Sequence, residues 1–82
     1  MTRRVLIVED EPNIADALRF LLTREGFDVS VESDGAKALD RLQAVAADLV
    51  ILDVMLPNRS GFDILRDLRS GGLSAPPVLM LH

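Results

Sequence analysis

Acidic side chains close two short apolar runs in this chain, and their placement carries its chemical potential. Val5-Leu6-Ile7-Val8 runs into Glu9-Asp10-Glu11, and Leu49-Val50-Ile51-Leu52 runs into Asp53. Continuous Val/Ile/Leu runs read as parallel strands buried on both faces. In an open α/β sheet, ligands bind in the crevice beyond the carboxyl ends of the strands. Carboxylates from two such ends can therefore meet at one point. Three ionised carboxylates at short range raise one another's pKa, so the group calls for a cation. A hard divalent ion with oxygen ligands meets that need, Mg²⁺ first among them.

The elements that must position these acids follow from periodicity. Residues 4–8 form a first strand, and Pro12 stands at a favoured first position of a helix. Ile14, Ala17, Leu18, Leu21 and Leu22 recur at the spacing of one buried helical face, with Asp16, Arg19 and Arg24 off that stripe. Gly26 ends this helix. Phe27 to Val31 reads as a second, partly polar strand at a sheet edge. Asp34-Gly35 turns the chain into a second helix, Ala36 to about Val45, with Leu39 and Leu42 inward. Leu49 to Leu52 is the third strand, and Val54 to Ser60 is a loop containing Pro57-Asn58. Gly61 opens a third helix, with Phe62, Leu65 and Leu68 on one face and Ser70-Gly71-Gly72 at its end. Ala75-Pro76-Pro77 leads into a fourth strand, Val78 to Leu81. Alternating strands and helices with short connections predict a parallel sheet with right-handed crossovers.

Composition narrows the function classes. The chain has 82 residues, is 49% hydrophobic and 27% charged, and carries a net charge of −4 with no cysteine. A single small domain is expected, without disulfides or thiolate metal sites. No basic patch offers itself to nucleic acid. The N-terminal apolar run is too short for a signal peptide or a membrane span. A soluble cytoplasmic protein is the expectation. G-x-G-x-x-G and G-x-x-x-x-G-K-[ST] phosphate loops are absent. The acidic loop after the first strand would repel a phosphate unless a cation intervened, which counts against a flavodoxin-type cofactor. A haloacid-dehalogenase-like phosphatase fits poorly, because its second aspartate would fall where Met55 stands. An acid after a strand is, taken singly, most often a helix cap or a solvated loop residue. Asp10 and Asp53 together, with Pro57 and Gly61 behind the second of them, favour a site.

These residues resemble the receiver domain of bacterial two-component response regulators. The resemblance rests on Val-Leu-Ile-Val-Glu-Asp-Glu-Pro at 5–12, on Asp34-Gly35, and on Asp53-Val54-Met55-Leu56-Pro57 followed by Gly61, with a weaker echo in Pro77-Val78-Leu79-Met80-Leu81. It implies a flavodoxin-like, doubly wound parallel sheet, here incomplete, with strand order 2-1-3-4 and without a fifth strand and the last two helices. It implies that Asp53 is the phosphoacceptor, that Asp10 binds Mg²⁺ directly, that Glu9 holds the ion through water, and that Met55 gives its backbone carbonyl. A sensor histidine kinase or phosphotransfer protein is the implied partner, and the module is a regulatory phosphoacceptor rather than an enzyme. A non-phosphorylated interaction module, or a self-associating fragment, is the alternative.

Two parts of the family pattern are missing. His82 stands where the family carries Ser or Thr, and the family's lysine after a fifth strand lies beyond the chain. Lys37, the only lysine, sits early in the second helix on an expected solvent face. Residues 1–82 are thus expected to be the N-terminal two-thirds of a receiver domain. Phosphorylation should be slow, and the signal should not pass on. The fourth strand is expected at an open edge, favouring a homodimer or other self-association.

Overall fold

A computed structural model describes residues 2–70 and 76–81. Expectations placed on residues 71–75 and on His82 lie outside the described residues. The element order is β1 (Arg4–Val8), α1 (Pro12–Arg24), β2 (Asp28–Glu32), a 3₁₀ turn (Gly35–Lys37), α2 (Ala38–Val45), β3 (Leu49–Asp53), α3 (Gly61–Ser70) and β4 (Val78–Leu81). The four strands form one parallel sheet in the order β2-β1-β3-β4, as expected. β1 and β3 occupy its centre, which is why their sequences are continuously apolar while β2, at the edge, carries Asp28, Ser30 and Glu32.

Alternation along each strand divides the core into two layers. Leu6, Val8, Val50 and Leu52 face α2 and α3, packing with Ala38, Ile64 and Leu68. Val5, Ile7 and Ile51 face the other way, toward Leu18 and Leu22 of α1. The sheet is therefore covered on both faces, by two helices on one and by one on the other.

Local chemistry sets the helix ends. Pro12 occupies the first turn of α1, and the Glu11 side chain accepts the Asn13 N–H at 3.4 Å. At its far end Gly26 adopts φ +93, donating its N–H to the Thr23 carbonyl at 3.0 Å before the chain reverses into β2. In α3 the Ser60 hydroxyl accepts the Asp63 N–H at 3.1 Å, satisfying one free donor of the first turn.

Several sequence expectations are corrected. In α1 the inward residues are Ala15, Leu18 and Leu22, whereas Ile14, Ala17 and Leu21 lie on an exposed flank. In α3 the buried residues are Gly61, Ile64 and Leu68, and Phe62 points outward at 60% exposure. Both helices carry more apolar residues than one face can bury, so the stripe alone does not select the face. β2 begins at Asp28 rather than Phe27 and β3 extends to Asp53. The second helix opens as a 3₁₀ turn, and regular α-helix begins at Ala38.

Ala46 closes α2 in the left-handed region, with φ 51 and ψ 54. A Cβ in that region costs about 1–2 kcal/mol, which glycine avoids at some cost in unfolded-state entropy. Ala46→Gly should therefore stabilise the fold by about 0.5–1 kcal/mol, read as a higher urea midpoint at unchanged slope.

Candidate metal and acceptor site

Register creates the site. In the central pair Val8 lies opposite Leu52, so the residues that follow, Glu9 and Asp53, emerge side by side at the carboxyl end of the sheet. Asp10 follows on the same loop as Glu9. One carboxylate oxygen from each of Glu9, Asp10 and Asp53 lies within 4.8 Å of the others. All three acids named from the sequence are thus brought together. Glu11 is not part of the cluster and caps α1 instead.

The three groups differ in environment. Glu9 is buried at 3% exposure, Asp53 is partly buried, and Asp10 is exposed. Burial pushes the Glu9 carboxyl up from 4.5 to about 7, helped by its hydrogen bond to Asp53 and the charges of Asp53 and Asp10, and opposed by the Glu11 N–H. That N–H donates to Glu9 Oε1 at 3.1 Å. Among the described residues, no Lys or Arg side chain is bridged to any of the three acids. An all-oxygen donor set short of positive charge fits a hard divalent cation.

The loop between β3 and α3 completes the surroundings. Met55 donates its N–H to Asp53 Oδ1 at 3.1 Å, while its side chain is 76% exposed. Asp10, Met55, Pro57, Asn58 and Asp63 line an open groove beside the acids. The Gly61 N–H donates to the Val54 carbonyl at 2.9 Å and closes the loop. Gly61 can approach so closely only because it lacks a Cβ, which would overlap the Asp53 carbonyl oxygen and lie 2.9 Å from Val54 Cα. Arg59 binds Asp67 and also donates to the Asp63 carbonyl at 3.3 Å. Asn58 donates to Asp34 Oδ1 at 2.8 Å. The roles of Asn58 and Arg59 were not foreseen from the sequence. Arg59 pairs with a residue eight positions on, well inside α3, and nothing local signals a partner 24 residues from Asn58. Lys37 is exposed, as expected, and ends the 3₁₀ turn just before α2 without a salt bridge to any of the three acids.

A family model of the response regulator receiver domain matches residues 5–82. Sensory transduction protein RegX3 of Mycobacterium tuberculosis is 49% identical over 77 residues, which make up 94% of this chain and 33% of that protein. DNA-binding response regulator MtrA of Mycolicibacterium smegmatis is 43% identical over 81 residues, covering 99% of this chain and 35% of that one. The chain spans about a third of the length of these curated relatives. The crystal structure of response regulator protein TrrA from Thermotoga maritima, in complex with Mg²⁺–BeF, is similar with a TM-score of 0.88 at 33% identity, covering 99% of this chain and 71% of that chain.

Two outcomes test this geometry. Between pH 4.5 and about 7 the native Glu9 keeps a proton that the unfolded chain has released. Metal-free stability should therefore fall as pH rises through that window, and Glu9→Gln should flatten the fall. Urea unfolding followed by circular dichroism at pH 5 and pH 8 measures both. Gly61→Ala should destabilise by about 1–3 kcal/mol through overpacking against the Asp53 backbone, and amide spectra should show the disturbance centred on Asp53 and Val54.

Proposed function

This chain belongs to the response regulator receiver domain family of two-component signalling, and from that premise we propose that it accepts a phosphoryl group on Asp53. In this reading Mg²⁺ is held by Asp10, Asp53 and the backbone carbonyl of Met55, with Glu9 bound to it through water. The supporting observation is the meeting of Glu9, Asp10 and Asp53 without a bridged basic side chain among the described residues. Residues 1–82 are read as the N-terminal two-thirds of a receiver domain, in line with the 71% of the TrrA chain that they cover.

Each residue has a definable part. When bound, the cation supplies positive charge against the oxygens of the arriving phosphoryl group. An Asp53 carboxylate oxygen forms the new P–O bond as the bond from phosphorus to the donor breaks and the leaving group departs with its electron pair. The Met55 N–H orients the carboxylate through Oδ1. Gly61 lets the α3 start close against the acceptor's backbone. The groove alongside is open, so a donor side chain or a small phosphodonor can reach the acids.

The partner in this reading is a sensor histidine kinase or a phosphotransfer protein, which places the domain in the cytoplasm. No helix among the described residues is long and apolar enough to cross a membrane. The net charge of −4 gives this chain no electrostatic footprint for nucleic acid. Self-association through β4 is a further part of the proposal. Among the described residues β4 pairs only with β3, and its Leu79 is 54% exposed. An unpaired apolar edge invites another strand.

Three measurements bear on this. Mg²⁺ at about 100 times its dissociation constant should stabilise the fold by about 2.7 kcal/mol, and Asp10→Asn should remove the effect; a melting curve indifferent to Mg²⁺ would sink the metal site. Incubation with a small phosphodonor and Mg²⁺ should add one phosphoryl mass to the intact chain and none to Asp53→Asn. Light scattering should give a mass that rises with protein concentration; a constant monomer mass would remove the β4 contact.

A further inference from the structure

Asp34-Gly35 has the look of ordinary turn chemistry, yet the turn reaches across to the acceptor loop. Asp34 Oδ1 accepts the Ala36 N–H at 2.9 Å and the Asn58 side-chain amide at 2.8 Å. The turn that offers this oxygen is itself fixed. The Asp34 N–H donates to Glu32 Oε2 at 3.1 Å, and the Lys37 N–H donates to the Asp34 carbonyl at 3.0 Å. Beside it Gly35 is buried, and a Cβ there would lie 3.2 Å from the Arg59 carbonyl oxygen and 3.3 Å from Ile64 Cδ1. The two loops thus meet at the level of their backbones, with one side-chain hydrogen bond across the junction.

Met55 needs such support. Its side chain is 76% exposed, so packing does not hold it. Beyond the bond from its own N–H to Asp53 Oδ1, its place depends on the bonds that hold a loop without regular structure. The Gly61–Val54 bond joins its two ends, and Arg59 ties its later part to Asp63 and Asp67 of α3. The Asn58–Asp34 bond ties the middle to a different element, three residues past Met55 and just after the stiff Pro57. We propose that Asp34 is a positioning residue for the acceptor site, clamping Asn58 so that the loop keeps the Met55 backbone against Asp53 and in reach of a divalent cation. This rests on the metal reading given above. The hydrogen bond from Asn58, with that from Ala36, holds the Asp34 carboxyl below its ordinary range, favouring the form that accepts both bonds.

The test compares the full chain with Asp34→Ala, Asp34→Asn and Asn58→Ala. Mg²⁺ affinity is read by amide NMR titration and loop order by hydrogen exchange at the Gly61 amide without cation. Substituting partners that orient metal ligands weakens metal binding about 10–100-fold. Asp34→Ala and Asn58→Ala should weaken Mg²⁺ about tenfold and speed Gly61 exchange. Asp34→Asn should restore both, because its amide oxygen accepts the same two bonds although the charge is gone. Wild-type affinity in Asp34→Ala would overturn the clamp. So would an Asp34→Asn as weak as Asp34→Ala, since loss of charge would then explain the effect. Should Asp34→Ala fail to fold, Asn58→Ala carries the same comparison, Asn58 being exposed. A wild-type chain indifferent to Mg²⁺ refutes the metal reading alone. Gly61 exchange then decides the clamp, and an unchanged rate in Asn58→Ala refutes it.

Discussion

Parallel pairing of β1 with β3 forces two acids to the same height at one edge of the sheet, and much of the surrounding structure answers that constraint. Neither strand can slip to relieve it. A shift of one residue would exchange the buried and opposite faces along a whole strand, moving Leu6 and Val8 out of the layer formed with Ala38 and Ile64. The charges are therefore held together by hydrophobic packing that is indifferent to them. The strain shows in the buried carboxyl of Glu9, which keeps a proton to higher pH than a solvated one would. A small domain has only about 0.05–0.15 kcal/mol of stability per residue to spend. Such a cost persists where the arrangement has a use.

Around the acids, backbone geometry carries the positioning. Gly61 lies against the carbonyl of Asp53, Gly35 lies against the carbonyl of Arg59, and the loop between β3 and α3 is closed by the Gly61–Val54 bond. Side chains then lock what the backbones have set, through Asn58 to Asp34 and Arg59 to Asp67. Both glycines matter for the absence of a Cβ rather than for flexibility, since neither has a positive φ.

The central strands and the convergence of Glu9, Asp10 and Asp53 were legible in the sequence, because continuous apolar runs and the acids that end them are local signals, whereas the strand order came from the family resemblance and not from the runs themselves. Burial of the helices was less so. In α1, Ile14, Ala17 and Leu21 share the apolar character of Leu18 and Leu22 but lie on the flank, and in α3 the outward Phe62 is larger than the inward Ile64. Apolar periodicity identifies a helix without saying which part of a wide stripe the sheet will take. The 3₁₀ start of the second helix depends on Asp34 capping Ala36, a choice between turn types that composition does not make. The Asn58–Asp34 bond was not legible, because it joins two loops that only the finished sheet brings together.

The hydrogen bond from the Met55 N–H to Asp53 has a consequence for symmetry. A free carboxylate presents two equivalent oxygens that exchange by rotation about one bond. Here Oδ1 is committed to the backbone, and rotation that swaps the pair must break that bond first. The two oxygens become distinguishable atoms, only one of which is held by the Met55 backbone. A group approaching Asp53 therefore meets a carboxylate whose two oxygens present different surroundings rather than an interchangeable pair.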